Sequence, residues 1–151
     1  MACLSWTFHS PSLRMATHAF VVLPEYPAQP QNTLILLHGL SGACDTWNRR
    51  TSIERYAQKH NLAVIMPEVQ RSWYTDMVYG LPYFTFITDE LPRLAANTLR
   101  VPVDPAHLYV GGLSMGGYGA LKCALRAGDV FSRGASLSGA ADIRQLPPGG
   151  Y

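Results

Sequence analysis

The sequence predicts an α/β fold built on a mostly parallel sheet with helices on both faces, and three observations carry that expectation. Apolar runs at residues 33–39, 62–66 and 107–114 lack the polar alternation of a half-exposed strand, as expected of strands covered on both sides. Segments with helical spacing separate them. A strand, helix, strand succession implies parallel pairing through right-handed crossovers.

The elements follow in order. HAFVVL, residues 18–23, reads as an early strand that stops at Pro24, where proline removes a donor, and the Pro- and Gln-rich stretch from Glu25 to Asn32 reads as a loop. TLILLHG, residues 33–39, is a central strand ending at a glycine that permits a sharp turn. In TSIERYAQKH, residues 51–60, Ile53, Tyr56 and Ala57 share one helical face, with Thr51 or Ser52 as cap. LAVIM, residues 62–66, is a second central strand closed by Pro67.

Residues 68–82 are irregular and carry Trp73, Tyr74 and Tyr79, and so long a loop inside a compact domain points to function. Residues 83–99 suit a helix with Phe84, Ile87, Leu91 and Leu94 on one side, kinked or split by Pro92. HLYVGGLS, residues 107–114, is the third buried strand, and GGYGALKCALRA, residues 116–127, the helix after it, with Gly128 at its C-terminal cap. GASLSG, residues 134–139, is a fourth parallel strand, and the Pro- and Gly-rich tail after Ile143 cannot supply another. With no repeat and no linker, residues 1–151 form one domain.

Hydrophobic content of 48% against 15% charged residues excludes a disordered chain. A net charge of +2 with scattered Lys and Arg gives no electrostatic case for nucleic acid and favours a small or uncharged substrate. Cys3, Cys44 and Cys123 have neither metal-motif nor redox-motif spacing, which suggests a reduced, cytoplasmic setting. The first twenty residues interrupt every apolar stretch with Ser, Thr, His or Pro, so they contain neither a signal-peptide core nor a membrane span.

Gly112-Leu113-Ser114-Met115-Gly116 matches G-x-S-x-G between a predicted strand and a predicted helix, the context that this motif requires. The serine must sit on a tight turn with its hydroxyl above the sheet, and the flanking glycines remove Cβ atoms that would collide there. The Met115 N–H, at the positive end of the helix dipole, then faces the oxygen of a tetrahedral intermediate. His38-Gly39-Leu40-Ser41-Gly42 occupies the loop that supplies the second oxyanion donor, and the Leu40 N–H is the candidate. His38 is read as a brace for that loop and not as the base.

LLHGLSG, Trp47 followed by RRTSIERYA, VIMPE, WYTDMVYG, DELP, GLSMGGYGALK and ASLSGA stand in one order across most of the chain. In these segments the sequence resembles the esterase D, S-formylglutathione hydrolase and antigen 85-like branch of α/β hydrolases, and within it the small bacterial tributyrin (acetyl) esterases. The resemblance implies an α/β-hydrolase fold and a cytosolic carboxylesterase that acts on short-chain esters of small molecules through an acyl-enzyme, without cofactor or metal. It implies Ser114 as nucleophile, Leu40 and Met115 as oxyanion donors, and Trp73, Tyr74 and Asp76 as part of a substrate cleft. Trp47 is expected to pack under the oxyanion loop. Nucleic acid and membrane are not expected partners, and a homo-oligomer is left open.

The chain departs from the family pattern after the ASLSGA strand. Family members continue with further strands whose loops carry the catalytic Asp and His, whereas no His follows Ser114 here. Asp142 follows the fourth strand but reads as a solvated loop carboxylate. The reading is therefore the N-terminal portion of the fold lacking its last strands, with doubtful activity on its own and an exposed edge at residues 134–139. Two alternatives stand beside the carboxylesterase: an S-formylglutathione hydrolase, and a non-catalytic α/β module.

Overall fold

The computed structural model describes residues 1–26 and 29–145. The tail expected to form no strand lies, from residue 146, outside the described residues. A six-stranded sheet contains β1 (Ala2–Ser10), β2 (Met15–Leu23), β3 (Asn32–Leu37), β4 (Leu62–Pro67), β5 (Leu108–Leu113) and β6 (Arg133–Leu137) in the spatial order β1-β2-β4-β3-β5-β6. β4, β3, β5 and β6 run parallel, and β2 pairs antiparallel with both β4 and the edge strand β1. The mostly parallel sheet is therefore present.

Both faces of the central strands are covered, which is why they read as unbroken apolar runs. On one face Val21, Ile35, Leu37, Ile65 and Val110 meet Phe86, Leu91, Met115 and Cys123. On the other, Val22, Leu36, Val64 and Met66 meet Ala57, with Trp47 and Ile53 packed beside them. The second face is covered by α1 (Thr46–Arg50) and α2 (Ile53–Lys59). The first is covered by the segment Tyr83–Leu99 and by α5 (Met115–Arg126).

Several boundaries differ from the sequence expectation. The sheet begins earlier, because β1 pairs with β2 from Ala2 to Ser10. Its signal was the alternation of Leu4, Trp6 and Phe8 with polar residues, the mark of a strand with one solvated face. Neither Thr51 nor Ser52 caps α2 through its side chain; the Thr51 hydroxyl instead donates to the Trp47 carbonyl at 2.6 Å. α5 ends with Ala127, not Gly128, at its cap.

The helical segment does not break at Pro92. It opens with α3 (Tyr83–Thr85), passes through a π-helical stretch at Phe86–Glu90 and continues as α4 (Leu91–Leu99). The Leu91 N–H reaches back five residues to the Phe86 carbonyl. Proline lacks a donor and crowds the preceding turn, and the wider π turn absorbs both demands just ahead of Pro92.

α5 lies directly on β3. A Cβ at Gly116 would stand 2.3 Å from the Leu37 carbonyl oxygen and 2.8 Å from that of His38, and neither backbone can retreat without opening the sheet. Gly128, after the helix, has only the Ala124 carbonyl at 3.4 Å. Gly116→Ala is expected to lower stability by about 3 kcal/mol and Gly128→Ala by less than about 1 kcal/mol, read as shifts of the urea-unfolding midpoint.

Candidate active site

Ser114 joins β5 to α5 with φ 56° and ψ −115°. A non-glycine residue in such a conformation carries strain of order 1–3 kcal/mol and persists only where its surroundings fix it. Here the Ser114 N–H donates to the Leu137 carbonyl at 2.9 Å, and the Ser114 carbonyl accepts the Tyr118 N–H at 3.0 Å. A Cβ at Gly112 would stand 2.3 Å from the Gly116 carbonyl oxygen, so the two glycines of the motif admit the turn. The Ser114 side chain is exposed, and no hydrogen bond ties its hydroxyl among the described residues.

Met115 is the first residue of α5, where a backbone N–H has no partner within the helix, and its side chain is wholly buried. Only its main chain is available to the site. The second loop comes equally close: a Cβ at Gly39 would lie 3.7 Å from Ser114 Cβ, and Leu40 follows directly. The turn is closed by the Gly42 N–H donating to the Gly39 carbonyl at 2.9 Å.

Beneath this loop the polar groups interlock. His38 is buried at 1% exposure, with Nδ1 2.8 Å from the Gly39 carbonyl and Nε2 3.3 Å from the Val69 nitrogen. With the ring proton on Nδ1, Nε2 of a neutral imidazole accepts the Val69 N–H. The 3.5 Å approach of Glu68 Oε1 to Nε2 becomes an ion pair only when the ring is protonated. Both ring nitrogens are thus committed to the brace. The Tyr74 hydroxyl donates to the His38 carbonyl at 2.9 Å, and Trp47 Nε1 donates to the Leu37 carbonyl at 3.1 Å, which sets Trp47 under the loop as expected.

Glu68 accepts the Gln70 N–H at 2.8 Å and the Cys44 N–H at 3.0 Å. Burial alone would raise its pKa, but a hydrogen bond from His38 in its protonated form, that ring's charge and the bonds from these amides outweigh it and hold the carboxyl at about 2. Burial pushes the Tyr74 phenol well above its ordinary range, so it remains a donor.

The residues expected in a substrate cleft have separate fates. Trp73 is half-buried, meets Tyr118 edge-on at 5.8 Å, and lines a cavity of about 300 Å³ with Ser72, Thr75, Met77 and Ile143. Tyr74 is fully buried, so it braces the loop from below and does not line a cleft. The cause is Gly119, where a Cβ would stand 2.4 Å from the Tyr74 ring: the missing side chain on α5 makes the ring's slot. The Asp76 carboxylate accepts the Thr85 N–H at 2.9 Å and its hydroxyl at 2.8 Å, and so fixes the start of the Tyr83–Leu99 segment.

Sequence reasoning passed over Lys122. Its ammonium donates to the Tyr74 carbonyl at 3.0 Å and to Thr75 Oγ1 at 2.7 Å, clamping the aromatic loop onto α5. Its place one helical turn beyond Tyr118 was the available signal. Trp73 and Tyr74 both have φ of 52°, so the clamped loop is itself strained. Asp142 pairs locally with Arg144 at 2.8 Å.

Strain at the turn is measurable. Ser114→Gly is expected to be about 1 kcal/mol more stable than Ser114→Ala, because glycine adopts this conformation freely while alanine retains the strain. Tyr74→Phe is expected to cost about 1–2 kcal/mol by removing the donor to the His38 carbonyl. Chemical denaturation reads both.

Comparison with known proteins places this geometry in a family. A family model described as "Putative esterase" matches residues 10–149. An acetyl esterase of Caldicellulosiruptor saccharolyticus is 29% identical over 157 residues, covering 97% of this chain and 59% of that protein. S-formylglutathione hydrolase of Bos taurus is 31% identical over 116 residues, covering 62% of the chain and 40% of the relative. Among solved structures, the fluorophosphonate-binding serine hydrolase FphF of Staphylococcus aureus superposes with a TM-score of 0.89 at 39% identity, over 95% of this chain and 59% of that one. The chain spans about three fifths of the length of the acetyl esterase and of FphF. With its strand-to-helix serine and a model match over nearly its whole length, the chain belongs to the esterase family of α/β hydrolases.

Proposed function

We propose that the protein takes part in hydrolysis of short-chain carboxylic esters through an acyl-enzyme on Ser114. The observation that carries this reading is the left-handed, exposed Ser114 at the head of α5. Ser114 Oγ attacks the ester carbonyl carbon and gives up its proton, the oxyanion draws on the Met115 and Leu40 N–H groups, and the tetrahedral intermediate collapses to expel the alkoxide, which takes up that proton and leaves as the alcohol. Water then cleaves the acyl-serine to the free acid. The cavity beside Trp73, which meets Tyr118 one helical turn beyond Ser114, is of a size for a small substrate.

The acetyl esterase relative and FphF support acyl transfer to serine, and the Bos taurus relative keeps S-formylglutathione in view as a second substrate. The described residues hold no base against Ser114, because His38 is turned into the core. Acylation and deacylation both lose rate, since a serine lacking its activating partners retains only a small part of it, and acetylation by an activated ester, whose leaving group needs no proton, is the faster of the two.

The test is p-nitrophenyl acetate. One equivalent of p-nitrophenolate per chain is expected in an initial phase, with the mass of one acetyl group appearing on the Ser114 peptide. Ser114→Ala should release at least tenfold less. Equal release by both proteins would falsify Ser114 as nucleophile, and preferential acylation by S-formylglutathione over acetyl esters would favour the second substrate.

A further inference from the structure

We propose that His18, Cys44 and Glu68 form a binding site for a borderline-soft divalent cation, Zn²⁺ above all, at the foot of the loop that follows the oxyanion turn. One imidazole nitrogen, the Cys44 sulfur and a Glu68 carboxylate oxygen all lie within 4.8 Å of one another, the one such grouping among the described residues. Three separate segments bring them together: β2 supplies His18, the loop before α1 supplies Cys44, and the turn after β4 supplies Glu68.

Main-chain bonds fix this frame. The Glu68 N–H donates to the His18 carbonyl at 3.0 Å, and the Cys44 N–H donates to Glu68 Oε2 at 3.0 Å. β2 and β4 are paired up to Ala19 and Pro67, the residues directly before the ligands' own link. Tetrahedral zinc, with bonds of about 2.0–2.3 Å, sets its ligand atoms about 3.3–3.8 Å apart. Closing the trio takes about 1 Å of side-chain movement. His18 is exposed and can supply it, and its exposure opens a path for the ion. Cys44 is buried, which shields the sulfur from other chemistry.

The donor set selects the metal. Thiolate with imidazole suits zinc, while a site for calcium or magnesium would offer oxygens alone. Binding exchanges the Cys44 thiol proton for the ion, and three protein ligands leave a fourth position to water. Nothing in the acyl transfer at Ser114 uses this site. Its consequence is mechanical, because the ion would join β2 and β4 to the loop that Glu68 and His38 hold in place.

The test is Co²⁺ titration of the metal-free chain with its thiols reduced by a phosphine. A near-ultraviolet thiolate-to-cobalt band is expected to saturate at one equivalent and to vanish on adding Zn²⁺. Cys44→Ser should abolish the band, and Cys3→Ser, which changes an exposed cysteine outside the trio, should leave it intact. His18→Ala, at an exposed position, should weaken cobalt binding at least tenfold without moving the unfolding midpoint of the metal-free protein. A folded chain that shows no band at excess Co²⁺, a band that survives Cys44→Ser, or unchanged affinity in His18→Ala overturns the site.

Discussion

The contact between α5 and β3 at Gly116 is the constraint on which the remainder of the structure depends. With no Cβ there, the first turn of α5 rests on the Leu37 and His38 carbonyls. That close approach forces the chain from β5 into the helix through one residue, and Ser114 accepts the strained conformation that results. The same approach sets the loop after β3 against Ser114 from the other side. The turn at Ser114 and the placement of the loop after β3 are thus two products of one packing event, and the buried groups around His38 hold the loop that α5 presses on.

A second layer supports the first. Tyr74 reaches the His38 carbonyl because Gly119 leaves room for its ring, and Lys122 clamps the backbone of the same loop. α5 therefore carries the serine at its head and positions, through Gly119 and Lys122 along its length, the aromatic segment beside it. Small residues near the start of this helix are where backbone and rings come nearest, and their spacing records that function more than any helical preference.

The central strands, the elbow and the loop after β3 were legible in the sequence because each rests on local chemistry. Unbroken apolar runs mark doubly covered strands, and G-x-S-x-G marks a turn that only small flanking residues allow. The N-terminal hairpin was harder to read, since β1 is largely exposed and its apolar alternation competes with many polar residues. The fate of Tyr74 was not legible at all. An aromatic residue in an irregular loop looks the same whether it lines a cleft or fills a slot, and the slot belongs to a glycine 45 residues away in the sequence. His18, Cys44 and Glu68 were invisible for the same reason, because only the β2–β4 pairing and the fold-back of the loop before α1 bring them together.

The central claim is that the strained turn presents Ser114 as a nucleophile. Its most direct test is exposure of the folded chain to a fluorophosphonate ester, followed by mass spectrometry of the peptides. The account predicts attack by Ser114 Oγ on phosphorus with loss of fluoride, giving one phosphonyl group per chain on the Ser114 peptide and none in Ser114→Ala. An unmodified Ser114 in the folded protein, or equal labelling of Ser114→Ala, would contradict it.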